Sequence, residues 1–367
     1  MRKILTGTSQ YAVGVPATGF QNEELLTIVS VGTVPHTDRG FLARRRRHSA
    51  GEGRASLRDD GVVMTNLSDV IAAAAATLGQ PLRLRGPTAR GESGSTFVVA
   101  ALTGWFVLKL HVAGDEVLAN QQRLVRLTDI LRDRGHPTPP YRAVGEAAGQ
   151  VYTLQEKAPG ETLEPEPGRA PDLSTLRVLL PQLLDAIELQ CDLGDLEDAP
   201  WPGWLLDTIE HGGDGYCLHT TMRHRGDTSA LLDQILDLVA QLRGQPARSA
   251  DLLHFDLNPA NVLHHNGRVT GIVDWTVPFQ GAMQGDRGFD VATLLFYHYD
   301  VDPALRSMLW QRCLDMSGLE WTAIYLCHLI LRQLEWSTRH RPGSAEVTRF
   351  WGIAHAALYD ITGRGAG

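Results

Sequence analysis

The chain has 367 residues, of which 43% are hydrophobic and 21% charged, and its formal net charge is −8. This composition is typical of a soluble globular protein with room for one large domain or two lobes, and the acidic balance argues against a general nucleic-acid binder. No apolar run approaches the roughly 20 residues that cross a bilayer and the four cysteines lack a disulfide-scaffold spacing, so we expect a cytoplasmic protein without nucleic-acid or membrane partners.

Residues 1–63 differ in composition from the remainder of the chain. They hold nine Lys and Arg against six Asp and Glu, including the run Arg44-Arg45-Arg46-Arg47. A basic tail that binds nucleic acid or membrane would carry such a run, but four arginines are more often a solvated stretch. We expect this segment to be disordered, or to be a non-native extension with translation starting at Met64, since a helix with plausible caps follows that residue.

The sequence over residues 91–110 predicts two strands and, before them, a turn suited to binding phosphate. Residues 96–102 and 105–110 are apolar and β-branched and flank the turn Thr103-Gly104, which predicts a β-hairpin. Two glycines and small hydroxyl residues precede this hairpin in the run Gly91-Glu92-Ser93-Gly94-Ser95. Such a turn lets backbone amides approach an anion closely, although most Gly/Ser turns bind nothing. Its place just before a predicted hairpin makes it a candidate phosphate cradle.

Lys109 is a charged residue within the otherwise apolar strand of residues 106–110. A buried charge needs a partner. The residue is therefore either an edge lysine that extends to water or an ammonium that binds the α- and β-phosphates of a nucleotide.

Helices and one further strand follow. Residues 115–134 predict a helix closed by Gly135, and residues 151–155 predict a strand that runs into the Pro-Gly turn after Glu156. Beyond residue 170 the leucine spacing predicts a helical region over residues 173–189, 231–242, 320–336 and 346–361, with Pro181 as a kink or new start. Ser229 and Ser344 are the expected caps and Gly244 an expected stop.

Three oxygen-bearing side chains lie around a predicted hairpin between these helices. Asp256 and Asn261 follow an apolar run, and residues 268–273 predict a strand that ends at Asp274. Mg²⁺ prefers oxygen ligands, and phosphoryl transfer needs charge neutralisation and a carboxylate that orients the attacking hydroxyl. The spacing therefore favours a magnesium-dependent phosphoryl-transfer site.

These residues resemble a known family. The run His254-Phe255-Asp256-Leu257-Asn258-Pro259-Ala260-Asn261 is similar to the H-x-D-x-x-x-x-N loop of aminoglycoside phosphotransferases and their protein-kinase-like relatives. The pair Asp274-Trp275 and the segment over residues 285–292 resemble the family's next two motifs. The resemblance covers roughly residues 80–360 and implies an α+β, two-lobed, kinase-like fold. It implies a small β-rich N-terminal lobe over residues 64–158 and a larger helical C-terminal lobe over residues 159–367.

The same resemblance implies a role for each motif residue. Asp256 would be the catalytic base, Asn261 and Asp274 would bind Mg²⁺, and His254 and Asp290 would organise and anchor the loop. ATP or GTP would be held by a set of N-terminal-lobe residues: Gly91, Ser93, Gly94, Ser95, Lys109, Glu156 and Ala158.

One feature departs from the family pattern. The lysine's usual partner is a glutamate near the middle of the next helix, where this chain reads Asn120-Gln121-Gln122-Arg123. Either Glu116 takes that role, or Gln121 makes a neutral contact and Lys109 is held in another way.

The resemblance implies transfer of a phosphoryl group to a hydroxyl of a small molecule. An aminoglycoside-like or other sugar-bearing antibiotic is the leading acceptor, with resistance by inactivation as the consequence. The alternatives are a metabolic kinase acting on an amino alcohol, sugar or amino acid, and a non-catalytic nucleotide-binding regulator. Candidate substrate contacts are Asp300, Glu335 and Trp336, and we expect a monomer or a weak dimer.

Overall fold

A computed structural model describes residues 67–88, 95–114, 116–164, 166, 169–197, 199–213, 215–242, 247–275 and 284–365. The expected N-terminal extension over residues 1–63 lies outside the described residues, as do Gly91, Ser93, Gly94 and Gly244. Within the described part of the chain, no helix is both long and apolar enough to cross a membrane.

The N-terminal lobe is built on one antiparallel sheet in the order β1-β2-β3-β5-β4. Its strands are β1 (Arg83–Pro87), β2 (Thr96–Ala101), β3 (Gly104–Val112), β4 (Tyr141–Ala147) and β5 (Gln150–Glu156). The predicted hairpin is confirmed, because Thr96 pairs with Lys109 and Ala101 with Gly104 across β2 and β3. Helix α1 (Leu67–Leu78) buries Val70 and Ala74 in the apolar core of this sheet.

Helix α2 (Val117–Asp133) lies between β3 and β4 in sequence and packs against β4 and β5 of the sheet. Its apolar face, with Leu124, Leu127 and Leu131, is part of the large core of the C-terminal lobe. Because these leucines are buried there, α2 holds the two lobes together.

The C-terminal lobe is mainly helical, as the sequence predicts. Its helices are α3 (Leu173–Glu188), α4 (Trp201–His211), α5 (His219–Arg223), α6 (Gly226–Gln241), α7 (Gly288–Tyr297), α8 (Pro303–His340) and α9 (Ala345–Gly365). Helix α3 runs through Pro181 as one element rather than restarting there. Helix α8 is broken at Gly318, whose φ of 73° is left-handed.

Of the two predicted helix caps, one is confirmed and the other is wrong. The cap at Ser344 is confirmed, since its Oγ accepts a hydrogen bond from the Val347 amide at 3.3 Å. The cap at Ser229 is wrong, because α6 already begins at Gly226. The acidic Asp227 in its first turn favours this earlier start, since a carboxylate there complements the helix dipole.

Short strands in the C-terminal lobe place the motif residues. Strands β6 (Glu161–Thr162), β8 (Val262–His265) and β9 (Arg268–Ile272) form one small sheet, and β7 (Asp251–Leu252) pairs with β10 (Gln284–Gly285). The predicted β8–β9 hairpin is confirmed, and its turn residues Asn266 and Gly267 have φ of 49° and 71°. Asp256 therefore lies in the loop between β7 and β8, and Asp274 follows the end of β9.

Candidate active site

The loop that carries Asp256 is fixed by its own Asn-Pro sequence. The Asn258 side chain accepts hydrogen bonds from the amides of Ala260 at 2.9 Å and Asn261 at 3.2 Å, and so caps a 3₁₀ turn over Pro259–Asn261. Asn261 Nδ2 donates to the Asp256 carbonyl at 2.9 Å. This bond turns Nδ2 towards the loop, so the opposite atom, Oδ1, is the one available to a cation.

His254 connects this loop to the strand end before Asp274. Its Nε2 donates to the Val273 carbonyl at 2.9 Å, and its Nδ1 accepts from the Asp256 amide at 3.3 Å. Burial lowers the pKa of His254 below its usual value of 6.5, which favours the neutral ring that these two bonds require. The expected organising role of His254 is confirmed.

Asp290 anchors the same loop from α7. Its two carboxylate oxygens accept hydrogen bonds from the amides of His254 at 2.9 Å and Phe255 at 3.0 Å. Asp290 is fully buried, and this burial raises its pKa to about 7. The expected anchoring role of Asp290 is therefore confirmed.

The buried side chain of Trp275 supports the backbone of Asp274, the residue that precedes it. The indole is 3% exposed, lies 4.7 Å from the His254 ring centroid, and donates from Nε1 to Thr138 Oγ1 at 3.1 Å. Asp274 itself has a left-handed φ of 60°. A non-glycine residue keeps that conformation only when its surroundings hold it, and the buried indole supplies that hold.

Lys109 forms an ion pair with Asp274 in this structure. Burial raises the pKa of the Asp274 carboxyl, but the Lys109 ammonium and its hydrogen bond outweigh burial, so the pKa lies below its usual 3.8. Glu116 is the N-cap residue of α2 and does not form this pair. Lys109 is instead held in another way, as the second alternative expects, and Gln121 is buried within the helix. The partner of Lys109 is thus the carboxylate that was expected to bind metal.

Arg332 on α8 is a residue of the site that the sequence reasoning did not identify. Its Nη2 lies 3.1 Å from Asp256 Oδ1, and its side chain is only 17% exposed. A sequence signal did exist, because Arg332 directly follows the apolar run over residues 329–331 inside a predicted helix. A charge in a buried apolar helix needs a partner, by the same reasoning that singled out Lys109.

The remaining nucleotide candidates lie on and beside the sheet. The Ser95 carbonyl accepts from the Leu110 amide at 2.8 Å, which holds the end of the Gly/Ser turn against β3. The Glu156 carboxylate pairs with Arg142 at 2.6 Å, and its amide donates to the Pro140 carbonyl. Ala158 is buried two residues further on. A base held at this turn would therefore use backbone groups rather than the Glu156 side chain.

The candidate substrate contacts are each engaged with an arginine. Asp300 Oδ1 lies 2.8 Å from Arg349 Nη2, and the half-buried Trp336 ring lies 4.8 Å from the Arg341 guanidinium. Glu335 is fully buried and accepts from Arg339 at 2.7 Å and from Thr221 at 3.0 Å. A substrate could reach Glu335 only after those contacts open, and its role as a contact stays a prediction.

The donor set fits a hard divalent cation. Asn261 Oδ1 and the Asp274 carboxylate offer oxygen atoms, and Mg²⁺ takes few protein ligands and keeps several waters. The backbone links the two residues, since the Val273 amide donates to the Asn261 carbonyl at 2.9 Å. Asp256 contacts Asn261, Lys109 contacts Asp274, and the backbone of Val273 links the two pairs.

Comparisons with known proteins find a family match over more than half of the chain. The model of the phosphotransferase enzyme family matches residues 87–325. No curated protein sequence matches the chain.

Solved structures share the fold at low sequence identity. Aminoglycoside phosphotransferase APH(4)-Ia, in complex with ADP and hygromycin B, is 19% identical over 79% of this chain and 98% of that chain, with a TM-score of 0.57. A GDP complex of a mutant aminoglycoside 2'-phosphotransferase-IIIa is 14% identical over 77% and 94%, with a TM-score of 0.50. A putative fructosamine-3-kinase from Haemophilus somnus is 12% identical over 80% and 98%, with a TM-score of 0.46. The first two likenesses confirm the predicted two-lobed fold.

Proposed function

The chain belongs to the phosphotransferase enzyme family and is a small-molecule kinase, and from this premise we propose a specific reaction. It moves the γ-phosphoryl group of ATP, with Mg²⁺, to a hydroxyl of a sugar-bearing antibiotic of the aminoglycoside type. The observation that carries this proposal is the direct linkage of Asp256 to Asn261 and, through His254 and Val273, to the strand end that presents Asp274.

Asp256 is the residue that contacts the acceptor. Its carboxylate takes the hydroxyl proton as the hydroxyl oxygen forms a bond to the γ-phosphorus. The bond between that phosphorus and the β–γ bridging oxygen breaks, and ADP leaves with the electron pair. A carboxylate that orients the nucleophile accelerates this transfer, because the reacting atoms start in line.

Three residues carry the charge of the nucleotide. Asn261 and Asp274 would hold Mg²⁺, which neutralises charge on the phosphates. Lys109 would exchange its contact with Asp274 for the α- and β-phosphates. The half-exposed position of Lys109 and Asp274 supports this exchange, since solvent and ligand reach both side chains.

An acceptor screen tests the proposal. The enzyme is incubated with MgATP and hygromycin B, other aminoglycosides, simple sugars, amino alcohols and amino acids, and both ADP release and the mass of each acceptor are measured. We expect a phosphate mass gain on a hydroxylated antibiotic, with Asp256→Asn as the inactive control. A gain confined to a sugar, amino alcohol or amino acid would instead identify a metabolic kinase. Tight MgATP binding without turnover of any acceptor would identify a nucleotide-binding regulator.

A further inference from the structure

Arg332 contacts three different parts of the loop that carries Asp256. Its Nη2 lies 3.1 Å from Asp256 Oδ1, and its Nη1 donates to the Phe255 carbonyl at 3.2 Å. The guanidinium carbon also lies 4.6 Å from the centroid of the Phe255 ring. One side chain therefore holds the carboxylate, the backbone and the ring of two consecutive residues.

The backbone at Phe255 requires such support. Its φ of 71° is in the left-handed region, which a bulky side chain rarely adopts unless the surroundings hold it. Asp290 accepts from the amide of Phe255, and Arg332 donates to its carbonyl. Two side chains, one acidic and one basic, thus fix the peptide groups on either side of this residue, and so fix the direction in which Asp256 leaves the backbone.

Packing holds Arg332 in place in turn. The Phe255 ring beneath it stacks on Phe289, with ring centroids 5.4 Å apart and planes 5° from parallel. His328, one turn earlier on α8, is fully buried. Burial, with the Arg332 charge added, holds the pKa of His328 well below 6.5, so this imidazole is neutral beside the guanidinium. The cation at this point is therefore Arg332 and not the histidine.

The two oxygens of the Asp256 carboxylate have different contacts. Oδ1 faces Arg332 at 3.1 Å, whereas among the described residues Oδ2 has only a long contact of 3.5 Å with Asn261 Nδ2. A hydrogen bond at 3.5 Å is weak. Oδ2 is thus the oxygen that an acceptor hydroxyl can approach.

We propose that Arg332 is a positioning residue for phosphoryl transfer, which binds Asp256 Oδ1 and thereby presents Oδ2 to the acceptor hydroxyl. This inference rests on the proposed function, because it requires Asp256 to contact the acceptor. It assigns the arginine to the chemical step and not to nucleotide binding.

Steady-state kinetics of Arg332→Gln and Arg332→Lys test this role. Hygromycin B serves as the acceptor, and phosphate release from MgATP to water is measured in parallel. Arg332→Gln is expected to lower kcat about 100-fold, the size of effect that a small misplacement of a reacting group produces, with the KM for MgATP unchanged. Arg332→Lys keeps the charge but not the two-pronged geometry, so its kcat should lie between those of the wild type and the glutamine variant.

Arg312→Gln is the matched control, because Arg312 lies on the same helix and pairs with Glu188 instead. It is expected to keep wild-type kcat and KM. Thermal unfolding of each variant checks the fold, and if Arg332→Gln does not fold, the lysine variant alone decides. Wild-type kcat in the folded variants, or a loss confined to KM for MgATP, would overturn the inference. A fully active Asp256→Asn would instead overturn the proposed function itself.

Discussion

The Lys109 ammonium is paired with the Asp274 carboxylate, which joins β3 of the N-terminal lobe to the end of β9 in the C-terminal lobe. The family's usual partner for this lysine is a helix glutamate, and α2 has the neutral Gln121 in that region. The two paired side chains are 33% and 47% exposed, so the pair contributes little to stability. A nucleotide bound by Lys109 and a cation bound by Asp274 would compete with this ion pair.

Replacing Lys109 tests its expected nucleotide contact. Lys109→Met should weaken MgADP binding about 10- to 100-fold, since a hydrogen bond to a charged group contributes roughly 1.5–3 kcal/mol. Calorimetric titration measures the affinity. Arg126→Met, which removes an exposed ion pair with Asp195, is the control. An unchanged affinity in Lys109→Met would assign the lysine only to the contact with Asp274.

Asp274→Ala tests the cation site. Without this carboxylate only the neutral Asn261 amide would remain of the two expected protein ligands, and one neutral oxygen binds Mg²⁺ poorly. We expect nucleotide binding to become independent of Mg²⁺ in titrations with and without the cation. A Mg²⁺ dependence equal to that of the wild type would rule out Asp274 as a ligand.

Asp256→Asn tests the catalytic carboxylate. Loss of a positioned base lowers turnover by about 10²–10⁴-fold, while MgATP affinity should stay close to that of the wild type, because Asp256 is not expected to bind the nucleotide. The substitution also leaves Arg332 without its carboxylate, so thermal unfolding must be measured beside kcat. Asp315→Asn, an exposed residue of α8 that accepts from Gln311, controls for the loss of one charge. Near-normal turnover of Asp256→Asn would remove it from the mechanism.

The local sequence pattern is enough to predict the hairpins and the motif residues. The β2–β3 hairpin and the segment from His254 to Asp274 are each encoded by nearby residues, whose alternation and turn chemistry carry the signal. The two-lobed fold followed from the motif resemblance and not from periodicity.

Contacts between distant residues could not be predicted in the same way. Lys109 and Asp274 are 165 residues apart, and no periodicity relates them. Arg332 and Asp256 meet only because α8 packs under the catalytic loop, which depends on tertiary packing that a single sequence does not specify. Helix propensity does not predict the start of α6 at Gly226, because glycine is a poor helix former, although the acidic Asp227 follows it.

Asp290→Asn tests how the anchor of the catalytic loop works. Both carboxylate oxygens accept from backbone amides, and an asparagine offers one acceptor and one donor in their place. One buried amide is therefore left unpaired, which costs about 1–3 kcal/mol. Chemical denaturation should show this loss, and kcat should fall with it because His254 and Phe255 are no longer fixed.

The wild type and Asp290→Asn differ in their free energy of unfolding, and the pH dependence of this difference reports the protonation of the buried Asp290 carboxyl. Burial raises the pKa of folded Asp290 from 3.8 to about 7, so the unfolded chain releases its proton at lower pH than the folded protein. The stability contributed by the neutral carboxyl is complete below about pH 4 and is lost as the pH rises towards 7. The stability advantage of the wild type over Asp290→Asn should therefore shrink between pH 4 and 7, as measured by urea denaturation at each pH. An advantage that grows with pH would show that the two amides hold Asp290 as a carboxylate in spite of its burial.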